Sequence, residues 1–220
     1  MFVVVILELC FSPATVVAAG SAVTHLPGYE GTLPFELETG YVGVGKEEEI
    51  QLFYYFIKSE SNPNTDPLVV WLTGGPGCSG LWSITYDNGP LRFNKVEYNG
   101  SLPTLSLNAY GWTKIANIIF LDLPVGTGFS YATTVIANSS DDIQAGIHGC
   151  EFVQKWLKEH PNFISNALYV GGESYAGIFV PIITQFISDG KLKPYNIIAL
   201  SSSLIISCNF ILTIYTTFFP

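Results

Sequence analysis

A serine stands at a predicted strand-to-helix turn in the segment Gly172-Glu173-Ser174-Tyr175-Ala176-Gly177. The apolar residues 167–170 before it are typical of a buried strand, and the residues after it predict a helix. A turn this sharp needs small residues two positions before and two positions after the serine, and Gly172 and Ala176 fulfil that need. The turn would hold the Ser174 hydroxyl above the strand ends, at the N-terminus of the new helix. The pattern therefore predicts a nucleophile on an α/β sheet.

The rest of the chain alternates between strand-like and helix-like segments. Leu68–Leu72 and Asn117–Leu121 are continuous apolar runs, as expected of strands buried on both faces. Gly40–Val44 and Ile50–Ile57 predict a hairpin. Apolar residues recur every three or four positions within 141–160 and predict the buried face of an amphipathic helix: Ile143, Ile147, Cys150, Val153 and Leu157. Buried strands separated by helices indicate a parallel sheet with helices on both faces, which is the α/β class.

A glycine-rich loop, Thr73-Gly74-Gly75-Pro76-Gly77-Cys78-Ser79, follows the Leu68–Leu72 strand. It lacks the lysine that a phosphate-binding loop would carry after its last glycine. We expect instead that the N–H groups of Gly75 and Tyr175 form an oxyanion hole for a carbonyl attacked by Ser174. The alternative is a tight turn without a chemical role.

A serine nucleophile requires a histidine to take its proton and a carboxylate to orient that histidine. On this kind of turn, both partners follow the serine in the chain. The residues after Ser174 contain one acid, Asp189, and no histidine, because His25, His148 and His160 all come earlier. Either the chain is a fragment or the serine turn is not catalytic.

Charge and composition exclude several classes of protein. The net charge is −9 with nine basic residues, which argues against binding nucleic acid or an anionic membrane surface. The cysteines Cys10, Cys78, Cys150 and Cys208 have no spacing typical of a zinc site. We therefore expect neither a metal nor a cofactor, and the sequence does not indicate an oligomeric state.

Both ends of the chain differ from its middle. Residues 1–20 resemble a secretory signal, although they lack a positive start and could instead form a buried strand. The sequons at Asn99 and Asn138 would be glycosylated in a secreted chain. Residues 197–220 carry no charge and are long enough to cross a bilayer, which takes about 20 residues. A foreign ending, such as a translated intron, explains this tail at least as well as a membrane anchor does.

Four motifs make the chain recognisable. They are Trp71-Leu72-Thr73-Gly74-Gly75-Pro76-Gly77-Cys78-Ser79, Asp87-Asn88-Gly89-Pro90, Asp122-Leu123-Pro124-Val125-Gly126-Thr127-Gly128-Phe129-Ser130-Tyr131 and the Ser174 hexapeptide. From about His25 to Asn196 the chain resembles the serine carboxypeptidase family, and most of all its plant serine carboxypeptidase-like branch. The resemblance implies an α/β-hydrolase fold, acyl-serine chemistry at acid pH, and a glycosylated secretory protein that is extracellular or vacuolar.

The same resemblance implies how a substrate is held. Glu173 and Asp87 match two carboxyls with which the peptidases grip a substrate's terminal carboxylate, together with Gly74 and the residue at position 73. Two neighbouring carboxyls cannot both ionise cheaply, so one retains a proton that can bind this carboxylate. Thr73 departs from the family's Asn and resembles the branch that became acyltransferases, which use glucose esters.

The likeness is expected to end near residue 196, so that the α/β-hydrolase fold is truncated after the nucleophile strand and helix. The family's catalytic Asp and His, and the disulfide partner implied for Cys78, would then have no counterpart. Three functions remain: a carboxypeptidase that cleaves peptides, an acyltransferase that uses acyl esters, and a short product without enzymatic activity. In each case we expect the chain alone to be inactive.

Overall fold

The computed structural model describes residues 20–95, 97 and 100–191, and four short strands between residues 200 and 217. Three predicted features lie outside the described residues. They are the signal segment apart from Gly20, the sequon residue Asn99, and those parts of the apolar tail of residues 197–220 that lie outside the four short strands. The expectations for them stay predictions.

The centre of the molecule is one seven-stranded sheet with the strand order β1-β2-β3-β7-β4-β9, in which β8 also pairs with β3. Its strands are β1 (Ser21–Val23), β2 (Leu37–Val44), β3 (Ile50–Ile57), β4 (Leu68–Leu72), β7 (Asn117–Leu121), β8 (Tyr131–Ala132) and β9 (Leu168–Gly172). Strands β5 (Leu91–Phe93) and β6 (Leu105–Leu107) form a separate two-stranded sheet beside it.

The sheet is mixed, and this corrects the expectation of a parallel sheet. Strands β7, β4 and β9 are parallel neighbours, with Leu72 opposite Leu121 on one side and Gly172 on the other. The hairpin β2–β3 and its pairing with β7 are antiparallel. A two-strand hairpin needs only a short turn, whereas parallel strands need a crossover helix, and only the later strands have one.

Helices cover both faces of the sheet, as predicted. They are α1 (Gly80–Tyr86), α2 (Asp142–Glu159) and α3 (Ala176–Phe186); short 3₁₀ turns lie at Trp112–Lys114, Ile136–Asn138 and Pro161–Phe163, and a π turn lies at Ile187–Lys191. Helices α2 and α3 bury residues such as Trp156 and Phe179 with one face. The opposite face buries Ile84 of α1 and Trp71.

Helix α2 shows where the apolar pattern was accurate and where it was not. The Asp141 side chain accepts a hydrogen bond from the Gln144 amide at 2.7 Å, as an N-cap should. Val153 and Leu157 are buried as predicted, but Ile143 is 53% exposed in the first turn. The helix turns this residue outward, because the side of α2 that packs on the sheet runs through Ala145 and Phe152.

The last described segments are the strands Leu200–Ser201, Leu204–Ser207, Phe210–Thr213 and Thr216–Thr217, paired as two short antiparallel ladders. Within the described part of the chain, no helix combines the length and the apolar character needed to cross a bilayer.

Candidate active site

Ser174 lies on the sharp turn that joins β9 to α3. Its backbone φ is 54°, in the left-handed region that non-glycine residues rarely adopt, and its side chain is exposed. A Cβ added at Gly172 would come within 2.6 Å of both the Ala176 Cβ and the Leu72 carbonyl oxygen. The turn is therefore too tight for larger neighbours at these positions, and it presents the serine to solvent.

The glycine-rich loop lies directly against this turn. A Cβ at Gly74 would be 2.7 Å from the Ser174 Cβ and 2.9 Å from the Tyr175 amide nitrogen. The loop closes on itself through a 3.1 Å hydrogen bond from the Cys78 amide to the Gly74 carbonyl. Gly75 has a φ of 118°, which a residue with a side chain would adopt only under strain. Only glycine at position 74 allows the loop to come this close to the serine.

The two amides predicted to form an oxyanion hole are unengaged. Among the described residues, neither the Gly75 N–H nor the Tyr175 N–H has a hydrogen-bond acceptor. The phenol of Tyr175 is held by the Asp142 carboxylate at the start of α2, with both oxygens 3.2 Å away. This contact fixes the residue that carries one of the two amides.

Glu173 and Asp87 interact beside the serine, although they are far apart in the chain. Burial raises the pKa of Glu173, and the charge of Asp87 and a hydrogen bond with it raise it further, to about 7. Glu173 is half-buried, while Asp87 is exposed at the end of α1. At acid pH Glu173 therefore retains a proton, which it can donate to a ligand.

Ser83 connects this acid to the glycine-rich loop. Its hydroxyl lies 3.1 Å from the Asp87 Oδ2, 2.8 Å from the Thr73 Oγ1 and 3.1 Å from the Trp71 Nε1. Ser83 is fully buried, and Thr73 is 3% exposed. The sequence did not point to Ser83, although its position four residues before Asp87 on a helix places the two on one face.

Asp122 is a second group that the sequence did not single out for a role. It is fully buried after β7, and its carboxylate accepts hydrogen bonds from the Ser79 hydroxyl and from the amides of Gly80 and Phe129. Burial raises its pKa, although these donors act in the opposite direction. Asp122 thereby ties the end of the glycine-rich loop to residues 126–131.

None of the three histidines, all of which are described, is a hydrogen-bond partner of Ser174. His25 is exposed and its Nδ1 lies 2.9 Å from the Thr24 hydroxyl. His160 is held between Glu38 and the Trp156 carbonyl, and burial lowers the pKa of His148 against the charges of Glu151 and Glu49. No described side chain forms a hydrogen bond with the Ser174 hydroxyl.

Two cavities are relevant to ligand binding. The larger, of about 420 Å³, lies between β1, residues 32–37 and β3, and none of the candidate site residues lines it. A groove of about 340 Å³ begins at Cys78 and Ser79 and runs along the exposed aromatic rings of Trp82 and Tyr86. The groove adjoins the glycine-rich loop and is the better place for an apolar ligand group. Within the described residues, no cluster of side chains is suited to hold a metal ion.

Comparison with known protein families identifies the family of this chain. The sequence model of the serine carboxypeptidase family matches residues 27–209. The chain belongs to the serine carboxypeptidase family. The match continues past residue 196, where the likeness was expected to end, and the boundaries predicted at residues 20, 25 and 196 stay predictions.

Relatives within the family lie in the plant branch, as the motifs indicated. Serine carboxypeptidase-like 16 of Arabidopsis thaliana is 57% identical over 173 residues, which is 79% of this chain and 40% of that relative. Serine carboxypeptidase-like 4 of the same plant is 54% identical over 191 residues, 87% of this chain and 43% of the relative. The chain thus spans about two fifths of the length of the curated relatives it matches.

The fold is also that of a solved family member. The crystal structure of Kex1(delta)p, a prohormone-processing carboxypeptidase from Saccharomyces cerevisiae, matches with a TM-score of 0.58 and 25% sequence identity. The match covers 76% of this chain and 38% of that structure. The α/β class predicted from the buried strands and the serine turn is confirmed.

Proposed function

We propose that Ser174 is the nucleophile of a serine carboxypeptidase-type acyl-transfer site. The observation that carries this proposal is the exposed serine at a φ of 54° with the Gly74 backbone against its Cβ. Its oxygen would form a bond to a carbonyl carbon while the carbonyl oxygen gains negative charge. The free amides of Gly75 and Tyr175 would stabilise that charge, and the acyl group would stay on the serine as the leaving group departs with a proton.

The Glu173–Asp87 pair would bind the end of the acyl donor at acid pH. For a peptide donor, the proton retained by Glu173 would hydrogen-bond the terminal carboxylate. Because the pKa of Glu173 is raised to about 7, this proton is lost as the pH rises through that value, and two negative carboxyls would then repel the ligand. The site would therefore act as a carboxypeptidase only in an acidic setting.

A second donor is favoured by Thr73. Its hydroxyl contacts Ser83 and lies next to Gly74 in the loop. The Asn that the family carries there would offer amide protons to a carboxylate, whereas Thr offers one hydroxyl. We propose a glucose-ester acyl donor as the alternative to a peptide, with the same acyl-serine step and an alcohol in place of water as acceptor. A non-enzymatic product is the remaining alternative.

We further propose that the chain alone turns over neither donor, since no described residue accepts the Ser174 proton. Without a histidine base and an orienting acid at Ser174, kcat should be about 10⁶-fold lower than with a complete triad. The secretory location also stays a proposal, extracellular or vacuolar. It is supported by the sequon at Asn138, which lies exposed in a surface 3₁₀ turn and is accessible to a glycan.

The test is the pH dependence of Ser174 labelling by a fluorophosphonate probe, located by peptide mass spectrometry. Without a histidine bonded to Ser174, hydroxide must take the proton, so we expect slow labelling of Ser174 whose rate rises about tenfold per pH unit with no plateau. The S174A variant should not be labelled at this site. Labelling no faster than that of the chain's other serines would contradict a presented nucleophile. A plateau above pH 7 would instead show that a base is present.

A further inference from the structure

One carboxylate oxygen of Glu38, on β2, has no partner among the residues that the structure describes. The Glu38 Oε1 accepts a 2.6 Å hydrogen bond from the Tyr54 phenol and lies 3.0 Å from the His160 Nε2. No described group donates to the Oε2. The Glu38 side chain is 25% exposed, so a further donor can reach this oxygen. A cationic donor would stabilise the half-buried carboxylate most.

Gly20 lies directly against this carboxylate. Strand β1 pairs with β2 so that Ala22 is opposite Glu38, and a Cβ added at Gly20 would collide with the Glu38 Oε1. The backbone nitrogen of Gly20 is about 2.5 Å from the place of that Cβ, and is therefore within about 5 Å of the Oε1. In the uncut chain this nitrogen is a neutral peptide N–H, and among the described residues it makes no hydrogen bond with Glu38.

The sequence just before Gly20 is typical of the end of a cleaved secretory leader. Val17-Ala18-Ala19 has the small residues that such a site requires. A leader peptidase of the secretory pathway would add water across the Ala19–Gly20 bond, so that Ala19 leaves with a carboxylate and Gly20 keeps a new amine. This cut is one residue before the boundary predicted at residue 20. A cut after Gly20 would remove the residue that lies against Glu38.

We propose that cleavage between Ala19 and Gly20 creates an α-ammonium group that Glu38 binds, and that this ion pair fastens β1 to the sheet. An ammonium group brings a positive charge and three donors to a place where the uncut chain has one neutral N–H. Strand β1 has three residues and pairs only with β2 in the described sheet, so it has few other contacts to hold it. The inference rests on the proposed secretory location and not on the Ser174 site.

The charged groups around Glu38 leave this position to the new amine. The Lys58 ammonium on β3 is bound to Glu36 at 2.6 Å. Glu159, at the end of α2, adds a second negative charge, and its pKa is raised by burial and also by the charge of Glu38. His160 is a cation only when it is protonated. An α-amine has an ordinary pKa of about 7.7–8.0, so it would still balance Glu38 where the imidazole has become neutral.

The experiment is secretion of the full 220-residue chain from insect cells, followed by mass-spectrometric sequencing of its N-terminus. We expect a mature N-terminus at Gly20. Trace acetylation between pH 6 and pH 10 then measures the α-amine pKa, because only the neutral amine reacts. We expect a pKa about one unit above that of the urea-unfolded chain, and hence about tenfold slower acetylation at pH 7.5. Glu38→Gln should abolish this protection, whereas the control Glu36→Gln should keep it.

A second variant is needed, because Glu38→Gln also removes the contacts with Tyr54 and His160. Gly20→Ala keeps those contacting groups and a small residue at the cut, but its Cβ occupies the space beside the carboxylate. The α-amine should then be displaced, and its acetylation should be at least about fivefold faster than in the wild type. Ser21→Ala, at the next and exposed residue, is the matched control and should keep the wild-type rate.

The outcomes leave no room for a different reading. A retained leader, or a mature N-terminus at a residue other than Gly20, would overturn the inference. So would a Gly20 amine that is acetylated as fast in the folded chain as in urea, or one that is equally protected in Glu38→Gln and Gly20→Ala. None of these results would touch the proposed nucleophile, because that proposal depends on the labelling of Ser174.

Discussion

The two acid clusters of this chain use the same kind of residue in opposite ways. Near the serine, Glu173 faces a second acid, Asp87, and its pKa is raised to about 7. Near the far end of α2, Glu38 accepts a 2.6 Å hydrogen bond from the Tyr54 phenol and lies 3.0 Å from the His160 Nε2. Burial alone would raise the pKa of Glu38, but the contacts with His160 and Tyr54 lower it on balance.

The difference shows which cluster has spare capacity for a ligand. At the second cluster Glu38, Tyr54 and His160 are hydrogen-bonded within the fold, and the His160 ring also stacks on Trp156 with centroids 3.9 Å apart. At the first cluster, strained backbone, unengaged amides and a glutamate with a raised pKa occur together. Such unsatisfied and strained groups cluster at functional sites, whereas satisfied ion pairs serve the fold.

The largest effect is expected from adding a methyl group to a glycine in each region. In Gly172→Ala the new Cβ meets the Leu72 carbonyl at 2.6 Å, and backbone cannot move aside. In Gly40→Ala it meets the Tyr54 hydroxyl at 2.9 Å, at the end of a side chain rather than at backbone. Urea unfolding should show a loss of about 3 kcal/mol for Gly172→Ala and about 1 kcal/mol for Gly40→Ala. Equal losses would contradict the tight packing assigned to the serine turn.

The two glutamates should respond oppositely to neutral replacement. Glu38→Gln removes an ion pair and should lower the free energy of unfolding by about 1–2 kcal/mol at pH 6. Glu173→Gln removes a charge that the fold disfavours, so it should be nearly neutral at pH 5 and stabilising at pH 8. Glu36→Gln, at an exposed residue near Lys58, is the control.

The pH dependence of this comparison follows from the pKa shifts. The folded pKa of Glu38 lies below 4.5 and that of His160 above 6.5, despite the burial that opposes the shift of His160. The stabilisation that the Glu38–His160 pair gives is therefore complete between pH 4.5 and pH 6.5. It is lost as the pH falls through the folded pKa of Glu38 or rises through the folded pKa of His160. The stabilisation from protonated Glu173 is complete below pH 4.5 and is lost as the pH rises through about 7. Parallel profiles for the two variants would contradict the assignment.

The smallest effect concerns the strain at Ser174. A non-glycine residue in the left-handed region costs about 1 kcal/mol, and glycine relieves most of that cost. Ser174→Gly should therefore raise the free energy of unfolding by about 0.5 kcal/mol, whereas Ser174→Ala keeps the φ of 54° and should not. Thermal melting of both variants measures this difference, and equal melting temperatures would argue that the turn is unstrained.

The sequence predicted the elements with strong local signals. The strands Leu68–Leu72 and Asn117–Leu121 have the predicted bounds, and the hairpin differs only in the longer β2. The antiparallel pairing of β3 with β7 was not predicted, because an apolar pattern indicates that a strand is buried and not which strand lies beside it.

At the site, the local motif located Ser174 and the resemblance supplied Glu173, Asp87, Thr73 and Gly74. The hydrogen bonds of Ser83 with Thr73 and Trp71, and those of Asp122 with Ser79 and Gly80, were not predicted, because they join residues 10 to 43 positions apart. Such contacts depend on how α1 packs against β4 and β7, and no short stretch of sequence specifies that packing.

The central claim is that an exposed serine stands beside a carboxyl pair that retains a proton. The most direct test is a ¹³C NMR titration of the Glu173 carboxyl carbon in the 220-residue chain and in its Asp87→Asn variant. We predict a pKa of about 7 in the wild type and a lower pKa in Asp87→Asn, because the neighbouring charge is gone. A wild-type pKa near the ordinary 4.5, unchanged in Asp87→Asn, would contradict this account of the site.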